Sequence, residues 1–289
     1  MDILKEAKDL GVAAETIRVL TLETLGNIGF GHVGGAMSIV ETLAVLYDGE
    51  LECDPKNPKW EKRDRLVMSK GHAGPALYAT LALKGFFPQE MLLELNQGGG
   101  RLPSHADMNK TPGVDMTTGS LGQGMSTAIG IALGTRLNKD KHFTYLMLGD
   151  GECDEGQVWE GAMFASHHKL GGLIGFVDCN KQQLDGYTKD VMYLGSLEDK
   201  FKSFGWHTVT VNGHDTKAVK DAIRAAKKVK DQPSMIILDT IKGYGCNFAE
   251  GVEANHHMNF TKEQMDSALE SAKQRLEEAR NLANAGKGE

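Results

Sequence analysis

Apolar residues recur along the chain in two rhythms, and each rhythm predicts a different element. Residues about 3 to 28 mix charged and apolar positions at helical spacing, and the same period returns in "AMSIVETLAVLYD" after a glycine-rich break. "DRLVMSKGHAGPALYATLALKG" reads as a short strand, a turn at Gly71 and a helix carrying Leu77, Leu81 and Leu83. Further on come the helix "MSTAIGIALGTRLNK", the strand "FTYLML", a helix over residues 155–169, the strands "LIGFVD" and "WHTVTV", the helix "TKAVKDAIRAAKKV" and the strand "SMIILDTI". The apolar runs lack polar alternation, as strands buried on both faces do. Such strands alternating with helices predict an α/β fold with a doubly wound, mainly parallel sheet and helices on both faces. The last segment, "TKEQMDSALESAKQRLEEARNLA", opens on a Thr cap followed by Glu263 and is strongly amphipathic. No internal repeat or Pro/Ser-rich linker divides the sequence. The expected organisation is one domain over residues 1–260 and a helical tail over 261–289.

Composition narrows the function classes. A chain of 289 residues suffices for one large α/β domain. A formal net charge of −7 argues against a general nucleic-acid or anionic-membrane binder, yet a local phosphate site needs only a few aimed donors. Without a long apolar run or a leader-like start, the expected location is cytoplasmic. Cys53, Cys153, Cys179 and Cys246 are scattered, with no C-x-x-C pair, and read as reduced structural residues.

The chemistry begins at "LMLGDGECDEGQVWEG", where an apolar run ends in Gly149, Asp150 and Gly151 and a helix follows at once. In a doubly wound sheet, ligands bind beyond the carboxyl ends of the strands. A following helix start suits an anion, and a carboxylate beside it calls for a cation between the two. Mg²⁺ fits, because it prefers hard oxygen ligands shared with phosphates. As an isolated tripeptide "GDG" is more often a mere turn. The next strand, "LIGFVDCN", changes that by ending at Asn180, a neutral oxygen ligand facing Asp150 across the switch-point crevice, with a backbone carbonyl available at Gln182 in the turn beyond. A long loop, "NQGGGRLPSHADMNKTPGVDMTTGSLGQG", is too extended for a passive connection. His32, His72, His105 and His256 all lie in glycine-rich or polar loops, and imidazoles converging on one crevice can shuttle protons near neutral pH.

"GDG" followed by a helix, a strand and Asn resembles the diphosphate-binding signature of thiamine diphosphate enzymes. Together with "GHVGGAMS", "SKGHAGPALYA", "HADMNKTPGVDMTTGSLGQG" and "FGWHTVTVNGHD", it resembles transketolase, in particular the N-terminal subunit of the split, two-chain form. The resemblance implies that Asp150, Asn180 and the Gln182 carbonyl hold Mg²⁺ (or Ca²⁺), with the Gly151 N–H on the diphosphate. It further places Gly119, Ser120, Leu121, Gly149 and Glu155 at the cofactor, and Glu155 with Glu160 near a dimer interface. His32 and His256 match the pair that handles protons on the sugar hydroxyls. His72 matches a residue near the cofactor diphosphate and thiazolium, and His105 one that hydrogen-bonds the two-carbon fragment. Val33 stands where the family usually has proline, and Asn255, His256 and His257 replace a usual Trp-His-Gly, which leaves His257 as the alternative to His256. His167, His168, His207 and His214 read as structural.

A transketolase also needs a glutamate against the cofactor's aminopyrimidine ring, carried in this family by a pyrimidine-binding domain. The helical tail is too short for that domain, so the expected partner is a separate C-terminal subunit, with the chain inactive alone and an α₂β₂ assembly. The implied substrates are a ketose phosphate donor and an aldose phosphate acceptor. Rival readings are the α chain of a 2-oxo acid dehydrogenase, a Mg²⁺-dependent phosphohydrolase with Glu152 in the place of its second aspartate, and a non-catalytic scaffold subunit.

Overall fold

The structure, a computed structural model, describes residues 9–285. The part of the first predicted helix before residue 9 lies outside that range. The rest forms α1 (Leu10–Gly26), whose start is capped by Asp9: its carboxylate accepts the Gly11 N–H at 2.8 Å. The single helix expected over residues 36–48 is broken. A one-turn helix, Gly34–Met37, precedes α2 (Val40–Val45), and a wide turn ends it, because Gly49 takes a φ of +139° that no helix continues through. Helix α3 (Gly74–Leu83) starts with proline in its first turn, where the missing N–H costs nothing. The other α-helices of seven residues or more, among the described residues, are α4 (Gln123–Leu137), α5 (Gly156–His167), α6 (Leu197–Ser203), α7 (Thr216–Ala226) and α8 (Lys262–Ala285). Among the described residues no helix is long and apolar enough to cross a membrane.

Strands β1 (Arg65–Met68), β2 (Thr144–Gly149), β3 (Leu173–Cys179), β4 (His207–Asn212) and β5 (Ser234–Asp239) form one sheet in the order β1-β2-β3-β5-β4. Every neighbouring pair is parallel, as the uniformly apolar runs predicted. Successive side chains sort to opposite faces. Tyr145, Met147, Ile174, Phe176, Ile236 and Leu238 pack under α1, α2, α3, α7 and α8, whereas Leu146, Leu148, Val177, Met235 and Ile237 pack under α4, α5 and α6. Helix α8 lies along α1 and buries Met265, Ala268, Ala272 and Leu276 in the same apolar cluster.

One cavity takes in both Asp150 and Asn180, but the topological switch points lie elsewhere than the sequence reading placed them. That reading set the switch point between β2 and β3, but the chain leaves both strands toward the face of α4, α5 and α6. It leaves β1 and β5 toward the opposite face, into α3 and α8. The carboxyl ends of β1 and β5 therefore flank those of β2 and β3, and the ground between the two sets is open to a ligand.

Candidate active site

At the carboxyl ends of the strands, Asp178 ties the loops together. Its Oδ2 accepts Ser38 Oγ at 2.6 Å, Lys70 Nζ at 2.5 Å and Asn180 Nδ2 at 2.8 Å, and its Oδ1 accepts Thr240 Oγ1 at 2.5 Å. Lys70 Nζ also donates to the Gly35 carbonyl at 2.7 Å. Burial of Asp178 would raise its pKa, but the Lys70 charge and these donors outweigh it and hold the carboxyl below the usual range. The hydrogen bond that Asn180 Nδ2 donates to Asp178 fixes the orientation of that side chain. Its Oδ1 accepts the Gln182 N–H at 3.2 Å.

Asp150 is buried in a different way. Its Oδ1 accepts Gly151 N–H at 2.8 Å and its Oδ2 accepts Lys181 N–H at 2.6 Å, and among the described residues no hydrogen bond reaches it from a cationic side chain. Burial, reinforced by the neighbouring Asp178 charge, pushes its pKa up to about 7. Lys181, whose N–H makes that bond, has a left-handed backbone with φ +66°, an unfavourable conformation for a residue with a Cβ. The turn thus brings Asn180 and Gln182 to the Asp150 carboxylate. Lys242 is 2% exposed, and among the described residues its Nζ donates only to the Gln182 and Gln183 carbonyls, each at 3.4 Å. Burial pulls its pKa down to about 8. An under-compensated carboxylate and an under-compensated ammonium line the same cavity of about 360 Å³. Among the described residues, the buried oxygens Gln182 Oε1, Gln183 Oε1 and Asp154 Oδ1 have no hydrogen-bond partner. A divalent cation with an attached polyanion answers both charges, so these residues fit a metal-bound diphosphate. Gly151 is required at this place, since a Cβ on it would stand 2.6 Å from Gln183 Cβ.

The histidines converge at the cavity mouth. His32 has its ring centroid 5.6 Å from His72, 5.3 Å from His105, 5.5 Å from His256 and 4.8 Å from His257, and His72 lies 4.6 Å from His256. Burial, then the neighbouring imidazoles, drives the His32 pKa down to about 3. Burial followed by Lys242 and Lys70 brings His256 to about 4. His72 falls well below its ordinary value through burial and Lys70, and His105 is lowered by burial. Gly35 makes the convergence possible, because a Cβ there would sit 2.8 Å from His72 Nε2.

A family model described as the thiamine diphosphate-binding domain of transketolase matches residues 11–276. The chain belongs to the transketolase family. It is 53% identical to a 6-deoxy-6-sulfo-D-fructose transketolase subunit of a Clostridium species, over 90% of this chain and 95% of that relative. With an apulose-4-phosphate transketolase subunit of Phocaeicola vulgatus it shares 35% identity, over 94% of this chain and 96% of that one. The crystal structure of transketolase from Campylobacter jejuni superposes with a TM-score of 0.84 at 30% identity, and the match covers all of this chain but 48% of the crystallised one. These relatives do not favour the 2-oxo acid dehydrogenase reading.

Within this transketolase chain, Gly119, Leu121, Gly149, Asp150, Gly151 and Glu155 line the cavity, as do Asn180, Gln182, His72, His105 and His256. Ser120 is exposed and lines no part of it, and Glu160 is exposed on α5. Glu152, the second carboxylate a phosphohydrolase would need, is occupied: it accepts Ser69 Oγ, the Gly122 N–H at 2.8 Å and the Gly149 N–H at 3.0 Å. His214 holds Glu41 at 3.2 Å, accepts the Ile241 N–H at 2.9 Å and stacks on Tyr244 at 3.7 Å, so it braces the loop that carries Lys242. Sequence reasoning missed Lys70, Asp178 and Lys242. The only signal was their adjacency to named motifs, at "SKGH", "VDCN" and "TIKG".

Two outcomes follow from this geometry. Lys70→Met leaves Asp178 buried without its counter-charge and should lower unfolding stability by about 3–5 kcal/mol in urea titrations, with Lys70→Met/Asp178→Asn recovering part of the loss. His32 and His256, with pKa values near 3 and 4 against an ordinary 6.5, bind fewer protons folded than unfolded across that window. Stability contributed by their neutral forms is complete above pH 6.5 and declines as pH falls toward 4. The slope of stability against pH between 5 and 7 should therefore flatten in His32→Gln/His256→Gln, measured at fixed ionic strength.

Proposed function

We propose that this chain is the diphosphate-binding subunit of a two-chain, cytoplasmic transketolase, transferring a two-carbon ketol group from a ketose to an aldose. The observation that carries the reading is the buried Asp150 carboxylate beside the buried Lys242 ammonium in a cavity rimmed by neutral histidines. Asp150, Asn180 and the Gln182 carbonyl would hold Mg²⁺ (or Ca²⁺), and Lys242 with the Gly151 N–H would meet the diphosphate of thiamine diphosphate. When bound, that cofactor supplies a nucleophilic carbon and an electron sink for breaking the C–C bond next to the ketose carbonyl. The chain's own residues supply binding and proton handling. A neutral imidazole offers one N–H donor and one acceptor nitrogen. His32 and His256, neutral at physiological pH, can accept a hydroxyl proton, and the imidazolium so formed, a strong acid in this setting, returns it promptly. His72 faces the cofactor side, and His105, exposed at the mouth, meets the two-carbon fragment.

The separate-partner reading is supported by length: this chain spans 95% and 96% of relatives named as transketolase subunits. An apolar strip next to the metal turn, with Leu184, Val191, Met192 and Tyr193 exposed, offers a surface for the subunit that carries the pyrimidine-binding domain. Leu137, Met163 and Phe164 are exposed on α4 and α5, which also bear Glu155 at the start of α5 and Glu160, and this face suits self-association into α₂β₂. The 53% relative acts, by its name, on a ketose ending in a sulfonate, so the donor proposed here is a ketose with a terminal anionic group, phosphate or sulfonate.

A cofactor bound only by the folded chain raises its stability by about 2.7 kcal/mol at a hundredfold excess over Kd. Thiamine diphosphate with Mg²⁺ should shift the melting midpoint upward, and Asp150→Asn should abolish that ligand-dependent shift, read as the difference between the liganded and unliganded variant. Mixing the chain with its pyrimidine-binding partner should give ketol transfer that neither chain shows alone. Full turnover by the isolated chain sinks the two-chain reading.

A further inference from the structure

Sequence alone left His256 and His257 as alternatives for one role, and the backbone assigns them two. Phe30–Gly31 pairs antiparallel with Met258–Asn259, in the register Phe30 to Asn259 and Gly31 to Met258. Continued by one residue, that register sets His32 opposite His257. Asn255 pins the segment from the other end. Fully buried, it donates through Nδ2 to the Lys242 carbonyl at 3.1 Å and the Ala249 carbonyl at 2.7 Å, and its own carbonyl accepts the Gly34 N–H at 2.9 Å. Fixed at both ends, consecutive residues diverge. His256 goes inward, half-buried, against His72 and into the cavity wall. His257 goes outward, exposed, and is absent from that wall. Its ring lies 4.8 Å from His32 and 5.8 Å from Phe30, itself 38% exposed.

An exposed imidazole beside an exposed phenyl ring, at the lip of a pocket whose interior is already committed to the cofactor, matches the chemistry of a sugar. The aromatic face covers C–H bonds, and the imidazole nitrogens bond hydroxyls. We infer that His257 is a substrate-contacting residue that sets affinity for the polyhydroxylated ketose donor, with Phe30 as its apolar partner, while His256, inside the cavity, keeps its proton-handling role and also borders the cofactor. This inference rests on the transketolase reading. Structurally, His257 is free to be changed, because it is exposed and none of the hydrogen bonds that pin the segment come from its ring.

The test uses the complex of the full chain with its partner subunit, with D-xylulose 5-phosphate and 6-deoxy-6-sulfo-D-fructose as donors. His257→Ala should raise the KM of the donor that is turned over by tenfold or more, change kcat little, and leave the melting shift produced by thiamine diphosphate and Mg²⁺ intact. His257→Asn, which keeps hydrogen-bonding atoms, should restore part of the KM. His256→Ala should instead reduce the melting shift. A donor KM within twofold of wild type in His257→Ala, or a loss of cofactor shift equal to that of His256→Ala, overturns the inference. Calorimetric binding of the same two sugars separates it from the reaction assignment. Sugar binding that depends on His257 without any turnover keeps the contact and discards the reaction, whereas sugar binding that is absent or indifferent to His257→Ala discards the contact.

Discussion

The Asp178 carboxylate joins elements that are far apart in sequence: Ser38 before α2, Lys70 after β1, Asn180 after β3 and Thr240 after β5 all donate to it. A carboxylate that is 0% exposed is tolerable only with a counter-charge and its lone pairs filled. That requirement makes the arrangement of loops close to all-or-none. Moving any one loop strips a donor from a group that water cannot reach, so the loops carrying Asn180 and the inner histidines are fixed relative to one another before any ligand arrives. Pre-organisation of this kind lets binding free energy go to the ligand rather than to ordering the site.

Sheet topology divides the labour around that carboxylate. The loops after β2 and β3 turn toward one layer of helices and carry Asp150, Asn180 and Gln182, the oxygen donors. Those after β1 and β5 turn toward the other layer and carry Lys70, His72, Lys242 and His256, the nitrogen groups. Oxygen acceptors and cationic or imidazole groups therefore face each other across the strand ends. The low histidine pKa values belong to the same design. Burial first, and then the neighbouring imidazoles and, at His72 and His256, the ammonium groups of Lys70 and Lys242, make protonation costly, so the rim stays neutral.

Much of this was legible in the residues. Uninterrupted apolar runs gave the parallel sheet, because strands covered on both faces have no solvent side to mark with polar residues. "GDG" and the Asn180 strand end were legible because ligand sites in such sheets sit at strand ends, and the loop histidines stood out against a glycine-rich background. Lys70, Asp178 and Lys242 were not, since a lysine or aspartate beside a motif looks like any solvated charge until its partner, dozens of residues away, is known. The break at Ile39, whose φ of −115° and ψ of 9° are not helical, was also hidden, because a helical period in the apolar positions says nothing about where the backbone leaves it.

The sequence by itself determined the fold class, the strand-end turn that carries Asp150 and the set of histidines, because each depends on local periodicity or on residue type at a single turn. Only the tertiary structure decided which strand ends border the crevice, which charges are buried, and which way His256 and His257 point. Those are properties of register and crossover direction. They arise when distant segments compete for the same buried donors and acceptors, and no single segment encodes the outcome.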